Sequence, residues 1–145
     1  MKFHYLLMKA HSMLSRRISY RALGELGLSS GQPKVLECLL ENEGSDQKTI
    51  AHMCEIEQAT LGGILNRMEA KGLIERRQKE GNRRSLFVNF TPQGKKVALK
   101  MEEIFDNADE KIKSYLTDEE FEQLNNLLNK LCGKMLEEGD VKVGE

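Results

Sequence analysis

The sequence predicts a mainly α-helical (α+β) fold, a winged helix-turn-helix carried between long N- and C-terminal helices. Three observations predict it. Apolar residues recur at helical spacing along most of the 145 residues, and the pattern stops at capping and turn residues. Between Thr49 and Arg77 two short helical patterns meet at a tight turn, and the second leaves one polar face free. A strand follows, then the basic loop 79–84 and a returning strand at 86–90. That order is a helix-turn-helix followed by its wing.

The first helix is expected over residues 3–23, with Phe3, Leu6, Leu7, Ala10, Met13, Leu14 and Ile18 on one face. Residues 24–30 break it. Ser29 with Gln32 three residues on reads as a capping box that starts the second helix. Pro33 fits its first turn, where a missing N–H matters least. Leu36, Leu39 and Leu40 supply the apolar face, and Gly44 closes the element. Ser45 or Asp46 caps the third helix.

The fourth helix is expected over about 57–71, with Leu61, Ile64, Leu65 and Met68 facing the core. Gly72 followed by Leu73 suits a Schellman ending. Thr91 and Pro92 open a fifth helix as N-cap and first residue, running to about Tyr115. Thr117 to Glu120 is a capping box, and the last helix repeats Phe121, Leu124, Leu127, Leu128, Leu131 and Met135. Residues 138–145 read as frayed.

The chain therefore reads as one domain, 1–145, with a winged helix-turn-helix at 30–100 and terminal helices at 1–24 and 101–138. The terminal helices look remote from the winged unit, which can form its own core. Their apolar stripes would be exposed in a monomer, and exposed patches of that size mark interfaces. Leu6, Leu7 and Leu14 on the first helix and Leu124, Leu128 and Leu131 on the last are the expected homodimer contacts. The plain alternative is that these helices fold back onto their own subunit.

The net charge is −1, which alone would argue against a polyanionic partner. Its distribution reverses that. Residues 1–66 carry seven Lys/Arg and seven Asp/Glu, 67–100 carry ten and three, and 101–145 carry five and thirteen. Binding to a polyanion needs only a local positive face, and the basic segment coincides with the wing. No apolar run approaches the ~20 residues of a membrane span, and residues 2–13 are too often broken by Lys and His for a signal peptide. A cytoplasmic protein is expected.

The free face of the fourth helix presents Gln58, Ala59, Gly62, Gly63 and Asn66, with Thr60 and Arg67 beside them. Gln and Asn pair bidentately with adenine, and Ala or a Thr methyl touches the thymine methyl. No Arg or Lys lies in its first turns, so A/T-rich half-sites of double-stranded DNA are expected. Two adjacent glycines cost a helix roughly 1 kcal/mol each relative to alanine. Either the backbone comes close to DNA there, or it packs tightly against the second or third helix. Arg83 and Arg84 at the wing tip, with Arg76, Arg77 and Lys79 on the strand, would meet phosphate or enter a narrow minor groove.

At these residues the sequence resembles the MarR family of bacterial and archaeal transcription regulators. Gly27-Leu28-Ser29 with Gln32 resembles the entry to the family's second helix. Ile50-Ala51, Ala59-Thr60-Leu61, Leu65, Arg67-Met68-Glu69, Lys71-Gly72-Leu73-Ile74 and Arg76 resemble its helix-turn-helix run. Arg83-Arg84 and Phe90-Thr91-Pro92-Gln93-Gly94 resemble its wing and the start of its fifth helix. The resemblance implies a homodimer with interleaved terminal helices on a near-palindromic operator. It also implies repression, often relieved by a small phenolic or lipophilic ligand or by thiol oxidation. One departure stands out. Where the family commonly has an aspartate before the arginine pair, this chain has Asn82 after Gly81, which predicts a looser wing or a substitute role for Glu80.

The remaining chemistry-bearing residues carry less. Cys38, Cys54 and Cys132 match neither a disulfide framework nor a zinc spacing. Cys38 and Cys132 lie on apolar faces and read as small core residues, while Cys54, near the turn, reads as partly exposed. The oxidation-sensing branch of the resembled family uses a first-helix cysteine, which is lacking here. His4, Met8 and His11 share a face, but their spacing lacks the usual ligand pattern, and no metal or cofactor is expected. No nucleophile, phosphate loop or carboxylate pair stands in a catalytic context. Asp118, Glu119 and Glu120 read as helix-start charge. An enzyme is therefore not expected. The main rival to DNA binding is a winged-helix module that docks on protein, but the free face lacks the aromatic anchors of such a surface.

Overall fold

The computed structural model describes residues 1–139, apart from the side chain of Arg83. The expected frayed end, 138–145, thus lies almost wholly outside the described residues. The elements are α1 (Phe3–Leu26), α2 (Gln32–Asn42), α3 (Gln47–Met53), α4 (Gln58–Ala70), β1 (Ile74–Lys79), β2 (Asn82–Phe90), α5 (Pro92–Lys113) and α6 (Asp118–Glu138).

Most caps form as their local chemistry dictates. The Asp46 carboxylate accepts from Thr49 N at 2.8 Å and starts α3, while the Ser45 hydroxyl turns back to Asn42 O. The Thr91 hydroxyl accepts from Gly94 N at the head of α5. Thr117 and Glu120 bond reciprocally at the head of α6. At the end of α4, Leu73 N reaches Met68 O and Gly72 N reaches Glu69 O, with Gly72 at φ +74°. This is the Schellman pairing.

Three boundaries differ from the sequence reading. β2 starts at Asn82, so the expected loop 79–84 narrows to a turn at 80–81 and Arg83 and Arg84 stand on the strand. α1 continues through Gly24 and ends at Gly27, whose left-handed φ of +66° closes the helix with backbone N–H bonds to Ala22 O and Leu23 O. The second helix starts at Gln32, not at Ser29. Only half of the expected box forms: Gln32 Oε1 accepts from Ser29 N at 3.0 Å, while Gly31 is the N-cap, with no side-chain cap bond.

β1 and β2 pair antiparallel, with Ile74 opposite Phe90 and Arg76 opposite Val88. The loop between α2 and α3 adds to this hairpin: Val88 N donates to Ser45 O and Gly44 N donates to Val88 O. The base of the wing is thereby fixed to the start of the helix-turn-helix.

One hydrophobic core joins α2, α3, α4 and the hairpin. It contains Leu36, Leu39, Ile50, Leu61, Leu65, Met68, Ile74 and Val88, all fully buried. It also takes in Ala22 of α1 and Ala98, Met101 and Ile104 of α5. α1 and α5 are therefore not remote from the winged unit. A helix of 22 residues is about 33 Å long, so one end of α5 packs in the winged core while the other extends away from it. Gly94 lies at the packed end, where a Cβ would overlap the Leu73 carbonyl. The contrast is α6, which has 21 residues and none buried. No helix among the described residues is long and apolar enough to cross a membrane.

Candidate nucleic-acid interface

Helix α4 buries Leu61, Ile64, Leu65 and Met68, and this sets what its other side offers. Ala59, Thr60, Asn66 and Arg67 are exposed, and Gln58, Gly62 and Gly63 are partly so. The glycine pair meets almost nothing within the chain. A Cβ on Gly62 would find no atom within 4 Å, and one on Gly63 would touch only the Arg67 guanidinium, at 3.5 Å. Packing against α2 or α3 therefore does not account for these glycines.

The turn between α3 and α4 aims this face. Ile56 N donates to Ala51 O, and Glu55 stands at φ +52° in the left-handed region. The far end of α4 is tied down by Lys71, whose ammonium reaches Gly27 O at 2.7 Å and Gln32 Oε1 at 3.2 Å.

The wing turns at Glu80 and Gly81, with Gly81 at φ +82°. Asn82 then accepts from Arg84 N at 3.3 Å and from Ser85 N at 3.2 Å through its Oδ1. An asparagine carbonyl can hold a turn in this way, so Asn82 itself orders the backbone of the arginine pair. Arg84 is exposed. The Arg83 side chain lies outside the described residues. Arg77 is largely exposed and pairs with Glu75 at 2.6 Å. Lys79 sits over the Phe87 ring, 4.2 Å from its centroid.

Arg76 is placed differently from its neighbour. Strand alternation puts it on the same side as buried Ile74, facing the helices. Its guanidinium donates to Asn66 Oδ1 at 2.6 Å, to Gln47 Oε1 at 3.2 Å and to both Glu69 oxygens at 3.2 and 3.4 Å. Those bonds hold the Glu69 carboxyl below its usual range. Sequence reasoning grouped Arg76 with the wing cations. The signal that separates them is the period-two count from Ile74.

The expected dimer contacts lie on open surface. Leu6, Leu7 and Leu124 are between 40% and 46% exposed. Leu14, Leu128 and Leu131 are partly buried. Leu7 and Leu14 of α1 face Leu124 and Leu128 of α6 across a cleft of about 760 Å³.

Two cysteine expectations are reversed. Cys54 is buried and its thiol is pushed up to about 12, first by desolvation and then by Cys38 beside it. Its Sγ lies 3.7 Å from Lys34 O, against the turn of α2 that carries Cys38. Cys132 is exposed, because no described residue packs over its face of α6.

Comparison with known proteins fits this geometry. Residues 28–86, from the approach to α2 into β2, match the model of the MarR family. The chain is similar to the transcriptional regulator HosA of Escherichia coli O127:H6, 31% identical over 104 residues, which cover 72% of this chain and 77% of HosA. Its fold is similar to that of MepR of S. aureus, solved as a complex with DNA, with a TM-score of 0.82, 23% identity and coverage of 92% and 98% of the two chains. It is also similar to NadR, solved with 4-hydroxyphenylacetate, with a TM-score of 0.76, 26% identity and coverage of 90% and 92%. The open face of α4, the hairpin beside it and these likenesses lead to one conclusion: the chain belongs to the MarR family of transcriptional regulators.

Proposed function

We propose that the protein is a homodimeric, sequence-specific repressor that binds a near-palindromic operator in the cytoplasm and is released by a small aromatic effector. The observation that carries the DNA reading is the free face of α4. Gln58, Ala59, Thr60, Gly62, Gly63 and Asn66 present short polar or small groups that are exposed or partly exposed, beside a basic hairpin. Short side chains and bare backbone let a helix sit deep in the major groove. Arg67, Arg77, Arg83 and Arg84 would supply phosphate or minor-groove contacts around it, and Arg76 would act through α4. A protein-docking face would instead offer aromatic anchors, and α4 has none.

The dimer is supported by α6. A helix with no buried residue that exposes Leu124, Leu127, Met135 and Leu136 has its apolar side only partly covered by the described residues. A second copy that interleaves α1 and α6 covers it and sets two α4 helices about one DNA turn apart.

The effector reading rests on a cavity of about 590 Å³ between α1 and α5. Arg16, Arg17, Arg21 and Lys111 line it beside Ile18, Ile104 and Tyr20. Positive groups around an apolar floor fit an aromatic acid or phenolate. NadR, which is similar to this chain, was solved with such a molecule.

Selection of bound sequences from random duplex DNA tests the proposal. Enrichment of an inverted repeat, with half-sites about one helical turn apart, is the expected result. Absence of any enriched sequence would overturn it.

A further inference from the structure

We infer that Arg76 is a specificity-determining positioning residue: it holds the Asn66 carbonyl, so that α4 presents the Asn66 NH₂ group to DNA and reads guanine, with its two acceptors, in preference to adenine. The inference rests on the DNA-binding reading above and goes beyond it.

A guanidinium only donates and stays charged at any pH the fold survives. The group 2.6 Å from Arg76 Nη2 must therefore be the oxygen of the Asn66 amide and not its nitrogen. The usual ambiguity of an amide's orientation is removed by its partner. The same holds for Gln47, whose Oε1 faces Arg76 Nη1 at 3.2 Å. Glu69 occupies another side of the guanidinium with both oxygens. Arg76 is thus gripped by three side chains from α3 and α4, and only 15% of its side chain is exposed. The Asn66 Nδ2 donors have no partner among the described residues, and the residue is exposed on the groove side of α4.

Polarity decides what Asn66 reads. Bidentate pairing with adenine needs the amide oxygen and nitrogen side by side on the base edge, the oxygen accepting from N6 and the nitrogen donating to N7. A charge-assisted bond draws Oδ1 back toward β1, and such bonds are roughly twice as strong as neutral ones. The leading group is then NH₂. It fits guanine best, which offers two acceptors, O6 and N7, whereas adenine offers N7 alone beside its own N6 donor. The adenine preference expected from the residue type alone is therefore replaced at this position by a guanine preference, set by a strand residue that need not touch DNA.

The test is bound-sequence selection with wild type, Asn66→Ala, Asn66→Asp, Arg76→Met and Arg76→Lys, with thermal unfolding of each. Asn66→Ala identifies the base pair that Asn66 reads, and a G·C pair is expected there in wild type. Asn66→Asp keeps the bond to Arg76 but presents an acceptor, so preference should switch to cytosine or adenine. Arg76→Met frees the amide and should cut discrimination at that base pair by about tenfold, letting adenine rise, while Arg76→Lys, still a donor, restores it. An A·T pair at the Asn66 position in wild type would overturn the inference, as would an Asn66→Asp profile unchanged in base preference. Asn66→Asp decides the matter even if Arg76→Met fails to fold. A wild type that enriches no sequence would instead bring down the DNA-binding reading itself.

Discussion

Replacing Gly62 and Gly63 by alanine sets stability and function against each other. Both glycines sit inside α4, neither at positive φ. In a helix interior, glycine is roughly 1 kcal/mol less favourable than alanine. The two added methyl groups cost nothing sterically within the chain, since Gly62 has open space and Gly63 an ordinary contact with a mobile arginine end. The double variant should therefore be more stable by about 1–2 kcal/mol, a rise of several degrees in Tm for a chain of this size. On DNA the same methyl groups stand where α4 would enter the groove. Lifting the helix from its bases should weaken operator binding by at least tenfold, about 1.4 kcal/mol. Differential scanning calorimetry and fluorescence anisotropy on the selected operator measure the two sides. A variant that melts higher and binds operator as tightly as wild type would refute the placement of these glycines at the groove. A variant that melts lower would refute the open space around them.

Three further outcomes follow from particular contacts. Leu128→Glu puts a carboxylate on the apolar side of α6, which should abolish the dimer in sedimentation and operator binding with it; a dimeric, DNA-binding variant would contradict the assignment of that stripe. Gly94→Ala drives a Cβ into the Leu73 carbonyl, and overpacking against backbone should lower stability by about 1–3 kcal/mol in chemical unfolding; an unchanged midpoint would show that the head of α5 can shift freely. Glu37 is held above its usual range by partial burial first, then by Asp109, Glu41, Glu102 and Asp106 around it. A carboxyl with a raised folded-state pKa destabilises the fold above that pKa and ceases to do so below its unfolded value of about 4.3. Glu37→Gln should accordingly be more stable than wild type near neutral pH, with the difference vanishing as pH falls through the carboxylate range; a difference independent of pH would assign the effect to packing.

The caps and the buried face of α4 were legible because each depends on residues three to five apart. Thr91 with Gly94, Thr117 with Glu120, Asp46 with Thr49, and Gly72 and Leu73 with the end of α4 are all closed by local hydrogen bonds. The wing was legible from its strand pattern and basic turn. The Ser29–Gln32 box was only half right, because Gly31 takes a left-handed conformation that the sequence permits without requiring.

By itself, the sequence determined the order of elements, the core side of each helix and the basic character of the wing, since periodicity and capping act over one or two turns. Only the tertiary structure decided which groups are free to act. Arg76 and Arg77 are chemically alike and adjacent, yet one is gripped by Asn66, Gln47 and Glu69 and the other is largely exposed, because the strand's two faces meet different neighbours. Cys54 is buried against α2, twenty residues away in sequence, while Cys132 lies on a face of α6 that no described residue covers. Val88 pairs with Ser45 across more than forty residues and fixes the wing's base. Such placements depend on contacts between distant segments, which become definite only when the chain closes around one core.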